Sequence, residues 1–183
     1  LASCSMDHTA RLWDLSSARC RQSFRGHVDS VNAISWIPFS NQLCTASGDK
    51  TVSIWDARTA LCAQTFYGHT NACNSVAVSN RGDILASCDA DGILKLWDIR
   101  TVSEIGSIQV SQHPCNKIAF DRSNSRIITA SDDGLLRAFA TDNLQDQIWC
   151  GRGHEDAVQS AIFDPADTFI ISTSTDCTFR IWS

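Results

Sequence analysis

Residues 68–98 read GHTNACNSVAVSNRGDILASCDADGILKLWD, and the rest of the chain is organised as repeats of them. Gly68-His69 is followed by an alternating apolar segment, Cys73 to Val78, and a turn at Asn80-Arg81-Gly82. A second apolar run, Ile84 to Cys88, leads to a turn at Asp91-Gly92, and Ile93 to Trp97 closes with Trp97-Asp98. Short strand-like runs separated by turn residues leave no room for a helix. Stepping back 42 residues turns Trp97-Asp98 into Trp55-Asp56, and a further 42 gives Trp13-Asp14. Forward, Phe139 lies 42 residues on and Trp182 another 43, so the aromatic recurs five times with one residue of slippage.

Working outward, copy one is a remnant: Leu1 to Ser5, a turn at Asp7-His8, Ala10 to Asp14 and a last strand near Cys20 to Phe24. Copy two is whole, with Gly26-His27, strands at Val31 to Trp36, Gln42 to Ser47 and Thr51 to Asp56, and a fourth near Leu61 to Phe66. Copy three adds a fourth strand around Glu104 to Ile108. Copy four begins near Ser111 and degrades, with Cys115 to Phe120, Arg126 to Ser131 and Leu135 to Phe139. Copy five takes up Gly153-His154, Val158 to Phe163, Phe169 to Ser174 and Thr178 to Trp182, one strand short.

The 183 residues are 43% hydrophobic and 19% charged with a net charge of -5, an ordinary globular composition. The mild acidity argues against a nucleic-acid partner, which selects a basic footprint. No apolar run approaches the roughly 18 residues that a membrane helix needs. Nine cysteines are present, but Cys20 and Cys62 share one repeat position, and Cys73 and Cys115 another that holds Val31 and Val158 elsewhere. Cys4 and Cys88 align with Ala46 and Ala130, and Cys44 with Ala86 and Ile128. The spacing reads as buried free thiols standing in for small apolar residues, reduced and intracellular, rather than as a disulfide framework. With no C-x-x-C, H-E-x-x-H or glycine-rich phosphate loop, neither a metal nor a cofactor is expected.

A period of 40 to 45 residues, four strands per unit and Gly-His…Trp-Asp punctuation resembles the WD-repeat β-propeller family over nearly the whole chain. The implied fold is all-β, with four-stranded antiparallel blades. Its segments are a remnant blade (1–25), two blades (26–67 and 68–110), a degenerate blade (111–152) and a last blade lacking its fourth strand (153–183). About four and a half blades are expected of a ring of roughly seven, the missing blades coming from the rest of the same chain. On this reading Leu1 is a cut and Ile181-Trp182-Ser183 a natural end.

The resemblance also implies that a blade can be tied by a His in its entry loop, a Ser or Thr on its second strand, an Asp in the following turn and the Trp. Those sets are His27, Thr45, Asp49, Trp55; His69, Ser87, Asp91, Trp97; and His154, Ser172, Asp176, Trp182. Each His precedes its Trp by 28 residues and each Asp by six. Partial sets are Ser3, Asp7, Trp13 in copy one and Thr129, Asp133 in copy four, where Ser111 replaces His and Phe139 replaces Trp. His113 lies two positions late and is not counted, so this blade is expected to be the loosest, by drift or by reshaping for a partner. Such sets satisfy buried polar atoms, each of which costs about 1–3 kcal/mol when orphaned. The competing reading, a Ser-His-Asp nucleophile, predicts one site rather than a set recurring from blade to blade, so no catalytic residue is assigned.

Residues three and five after each His point outward on the entry rim in the family, which nominates Ser30, Asn32, Ala72, Asn74, Pro114, Asn116, Ala157 and Gln159 for partner binding. The periodic amides suit peptide contact, or alternatively cap local turns. Met6, Gly48, Ala90, Asp132 and Thr175 share that rim without common chemistry, while Arg11, Lys95, Arg137 and Arg180 read as structural members of the third strands.

The wording Pro38-Phe39-Ser40-Asn41, the run from Thr45 to Thr59, Tyr67-Gly68-His69, Leu85 to Ala90 and the ending Trp182-Ser183 resemble the C-terminal propeller of the sperm-associated WD-repeat proteins of the ciliary central apparatus. That resemblance implies a non-enzymatic scaffold in the bridge between the central microtubules of a cilium or flagellum, located on the cytoskeleton. Its partners would be central-apparatus and microtubule-associated proteins. The alternative is another intracellular platform: a substrate-recruiting subunit of a ubiquitin ligase, or a centriolar or trafficking scaffold. A coiled coil upstream would favour the axoneme and an F-box-like helical region the ligase.

Overall fold

A computed structural model describes all residues 1–183 and contains no helix. Five antiparallel sheets follow one another along the chain. The first holds β1 (Ala2–Cys4), β2 (Thr9–Asp14) and β3 (Arg19–Arg25). The second holds β4 (Val31–Trp36), β5 (Gln42–Ser47), β6 (Val52–Asp56) and β7 (Cys62–Phe66). The third is β8 (Cys73–Val78), β9 (Ile84–Asp89), β10 (Ile93–Asp98) and β11 (Ser103–Gln109). The fourth is β12 (Cys115–Phe120), β13 (Arg126–Ser131), β14 (Leu135–Ala140) and β15 (Gln147–Arg152). The fifth is β16 (Val158–Phe163), β17 (Ile170–Ser174) and β18 (Phe179–Trp182). In every sheet the strands pair in chain order, and the sheets form an incomplete propeller of about four and a half blades.

Successive blades meet along their first strands, β4 against β8, β8 against β12 and β12 against β16. Each of the four blade boundaries has its own apolar cluster. The second strands are buried on both faces because a neighbour lies on each side: Leu43 to Ser47, Leu85 to Asp89 and Ile127 to Ser131 are all inaccessible. Fourth strands lie at the circumference and bury only their tips, as Phe24 and Phe66 do.

Two β-bulges recur in each complete blade. The first-to-second strand register skips one residue, between Val31 and Ala33, Cys73 and Ser75, Cys115 and Lys117, and Val158 and Ser160. The third-to-fourth register shifts at the aromatic, before Trp13, Trp55, Trp97 and Phe139. A bulge re-aims the extra residue's side chain and tightens the twist, and both bulges place functional-looking residues.

The thiol expectation is corrected in part. All nine cysteines are free, and Cys44, Cys73, Cys88 and Cys115 are buried, with burial raising the Cys44 thiol to about 12. Cys20, Cys62 and Cys177, however, are exposed. Cys20 and Cys62 lie on fourth strands, whose outer stretches face solvent, so a shared repeat position does not mean a shared interior.

Candidate functional site

The polar sets occupy one rim, called upper here, where each entry loop meets the second-to-third strand turn of its blade. In blade two His27 Nδ1 lies 2.7 Å from Asp49 Oδ2 and its Nε2 lies 2.7 Å from Thr45 Oγ1. The indole of Trp55 donates to the same Oγ1 at 2.8 Å. Blade five repeats this with His154, Asp176, Ser172 and Trp182 at 2.8, 2.7 and 2.8 Å. Donor counting orders the chain: a carboxylate only accepts, so Nδ1 carries the ring proton, Nε2 accepts from the hydroxyl, and the hydroxyl accepts from the indole. Each ring also stands edge-on to its Trp, at 5.6 and 6.0 Å between centroids.

Blade three uses a different carboxylate from the one its spacing marks. His69 Nδ1 meets Asp89 Oδ2 at 2.7 Å, and Ser87 Oγ bridges His69 Nε2 and the Trp97 indole at 2.6 and 2.8 Å. Asp91 turns outward to accept from Thr70 Oγ1 at 2.9 Å and Asn71 Nδ2 at 2.8 Å, so its assignment to the latch is corrected. The reason lies two residues to either side. In blades two and five a threonine holds the turn Asp inward, Thr51 on Asp49 and Thr178 on Asp176, each at 2.6 Å. Ile93 stands there in blade three and has no hydroxyl, while Asp89 replaces the Ser47 and Ser174 of the other blades. The last residue of β9 thus supplies a fully buried carboxylate.

Blade four closes its rim with different partners. Asp133 Oδ2 accepts from Ser111 Oγ at 2.9 Å and from Arg137 Nη2 at 2.7 Å. The guanidinium takes the role of the imidazole, and Thr129 Oγ1 donates to the Arg137 carbonyl at 3.3 Å. Phe139, with no donor, leaves Thr129 no indole to accept, and it is only 2% exposed. Three side-chain atoms of this blade are buried without partners: Ser131 Oγ, Arg137 Nη1 and Thr141 Oγ1. Burial pushes the Asp133 carboxyl up, but the bonds from Arg137 and Ser111 outweigh it and hold it below the ordinary range. Asp49 behaves alike, with burial opposed by Thr51 and His27. The imidazole of His113 is exposed and takes no part, while its backbone N–H donates to Ser111 Oγ at 3.0 Å. In the remnant blade Trp13 donates to Ser3 Oγ at 2.8 Å, and Asp7 pairs with Arg11 at 3.1 Å.

Three of the nominated rim amides tie neighbouring blades together. Asn32 Nδ2 donates to the Cys73 carbonyl at 3.0 Å, Asn74 to Cys115 at 3.1 Å and Asn116 to Val158 at 3.0 Å. Each amide is the extra residue of its bulge, aimed at the next blade; Asn116 Nδ2 also donates to Asp132 Oδ1 in the turn of its own blade at 2.6 Å, and Asn32 Oδ1 accepts from Ser30 Oγ at 3.0 Å. The carbonyls of Ser30, Ala72, Pro114 and Ala157 accept from Gly48, Ala90, Asp132 and Thr175 in the adjacent turn of their own blade. Gln159 alone stays exposed without such a bond. No grouping of three or more His, Cys, Asp or Glu is arranged to hold a metal ion.

A latch of imidazole, hydroxyl, carboxylate and indole repeated through a radial array of antiparallel blades identifies the repeat. A family model described as WD domain, G-beta repeat matches residues 1–14, 18–56, 60–98, 104–139 and 145–183. The chain belongs to this WD-repeat family. Among curated relatives, WD repeat-containing protein 37 of Homo sapiens is 44% identical over 48 residues, which is 26% of this chain and 10% of that protein. Its Xenopus tropicalis counterpart is 42% identical over 48 residues, again 26% of this chain and 10% of that protein. Coronin-7 of Homo sapiens is 42% identical over 45 residues, 25% of this chain and 5% of that protein. The matched stretch spans a tenth or less of each relative and reports on the WD repeat, a unit generally used in protein-interaction scaffolds.

Proposed function

We propose that this WD-repeat chain is a non-enzymatic scaffold that holds other proteins together in the central apparatus of a motile axoneme. The observation that carries the scaffold reading is the sealing of its only Ser/Thr-His-Asp sets. The hydroxyls of Thr45, Ser87 and Ser172 are at most 1% exposed, and each is already bonded to an indole and an imidazole. A nucleophile needs open space where substrate and oxyanion donors can converge, and these hydroxyls face the blade interior. The axonemal setting is supported by the wording of residues 38–59, 67–69 and 85–90. Fractionating motile cilia with an antibody to the protein tests that setting: it should partition with central-pair microtubules, and equal recovery from axonemes lacking a central pair would overturn it. Co-purification with a ubiquitin-ligase core instead would move the scaffold to the alternative platform.

A further inference from the structure

We propose that the cavity between the latch and the fourth strand of blade two receives an arginine side chain of a partner protein. A basic residue of the blade itself fills the corresponding space in blades three and five. The proposal rests on the scaffold reading only for the class of its partner.

The third-strand residue two before the aromatic is Arg11, Lys95, Arg137 and Arg180 in the other blades, and Ser53 in blade two. Arg11 and Arg137 reach the turn carboxylates of Asp7 and Asp133. In blades three and five the long side chain instead lies beside the indole and the entry-loop glycine. Arg180 Nη1 comes within 3.2 Å of where a Cβ on Gly153 would stand. Lys95 Nζ lies 5.7 Å from the centroid of the Trp97 ring and 2.6 Å from Glu104 Oε2, which in turn comes near Gly68.

Gly26 of blade two meets only the Trp55 ring. Both members of the blade-three pair are replaced, Lys95 by Ser53 and Glu104 by Cys62, and an opening of about 260 Å³ lies there. That is smaller than the roughly 300–1,000 Å³ of a small-molecule site and suits one long side chain. The lining comes entirely from residues 26–67, within blade two and its entry loop.

The walls select a guanidinium. Asp49 is the one charged side chain in the lining, since His27 carries a single ring proton and is neutral. The Asp49 oxygens already accept from His27, Val28 N and both donors of Thr51, so they act on a cation through charge rather than a new bond. Asp176 of blade five has the same set of donors, and Arg180 still stands beside that latch. Trp55 and Tyr67 supply aromatic surface, to which arginine is drawn. Tyr67 is 75% exposed, at a position that holds Arg25, Gln109 and Arg152 elsewhere. Val28, 79% exposed at the mouth, suits the aliphatic stem. Ser53 Oγ and Thr65 Oγ1, bonded to each other at 3.2 Å, keep lone pairs for the N–H groups. The nearest positive charges along the chain, Arg25 and Lys50, do not line the opening, and Lys50 acts on Asp91 of blade three.

The test follows the Trp55 ring by fluorine NMR in the full protein labelled with fluorotryptophan. The probes are N-acetyl-arginine methylamide and its citrulline counterpart, which has nearly the same shape and no charge. The arginine compound should shift the Trp55 signal saturably and bind about tenfold or more tightly than the citrulline one. Ser53→Arg fills the cavity from within and should abolish the response. Ser53→Ala, which also assigns the signal, leaves the cavity open and should preserve it. Tyr67→Ala should weaken arginine binding about threefold or more with Tm unchanged, and decides the matter if Ser53→Arg does not fold. Equal affinity for the two compounds, an undiminished response in Ser53→Arg, or no loss in Tyr67→Ala overturns the proposal. So does an equal shift of every tryptophan signal, the mark of contact all over the surface. None of these results touches the sealed hydroxyls, so the scaffold reading stands or falls by its own fractionation.

Discussion

Blades three and four stand side by side, share four paired strands, and close their upper rims with different chemistry. Blade three runs a chain from the Trp97 indole through Ser87 and His69 to Asp89, with every member at most 8% exposed. Blade four joins Ser111 and Arg137 directly on Asp133 and leaves Thr129 and Phe139 out of that bond. What the two have in common is a carboxylate at the rim with its lone pairs filled, and a large aromatic on the third strand packed against the preceding blade. The imidazole and hydroxyl are one way of reaching that end, because an imidazole can relay between an acceptor and a hydroxyl. A guanidinium reaches it without the relay, while its Nη1 and the Ser131 hydroxyl at the same rim stay buried without partners.

The contrast is sharpest at the hydroxyl. Ser87→Ala strands two buried groups, the His69 ring nitrogen and the Trp97 indole, and should cost about 2–4 kcal/mol. Thr129→Val in blade four removes one bond to a carbonyl and should cost under about 1 kcal/mol. Urea unfolding of the two variants measures the difference, and equal losses would erase the distinction between the blades. A second, smaller effect lies at the fourth-to-fifth blade boundary. Fourth-strand Phe24 and Phe66 meet Trp55 and Trp97 at 6.0 and 5.5 Å between centroids. After blade four the equivalent residue is Gly151, and the Trp149 ring folds over it to meet Trp182 at 5.6 Å. A Cβ at Gly151 would collide with that ring, so Gly151→Ala should cost about 1–3 kcal/mol in thermal or urea unfolding. Finally, the unfolded chain protonates Asp133 before the folded one does. Stability from this depressed carboxyl is present above about pH 4 and lost as pH falls through its folded value. Asp133→Asn should therefore lower stability at pH 7 and flatten the acid limb below about pH 4, read by denaturation at each pH.

The strand order and the rim chemistry of blades two and five were legible because Trp, His and Asp recur at offsets that only a repeating unit explains. Asp89 was not, because phase alone pointed to Asp91; the signal was Ile93 where a threonine holds the other two turns, with a carboxylate in place of the serine before it. The amides of Asn32, Asn74 and Asn116 were visible as a series, but their acceptors lie 41 or 42 residues on, and nothing local reveals the bulge that aims them. The exposure of Cys20 and Cys62 was hidden for a related reason: periodicity says which residues are equivalent, not which face of an outer strand meets solvent.

The amide ties also fix how the molecule can grow or shrink. Donor and acceptor sit at matching places in successive units, so excising or duplicating one whole unit rejoins a compatible donor to a compatible acceptor, while an insertion of any other length within β4 or β8 shifts one partner past the other. Evolution by unequal copying of entire modules is thereby made cheap, and gradual lengthening inside a module is resisted at its first strand.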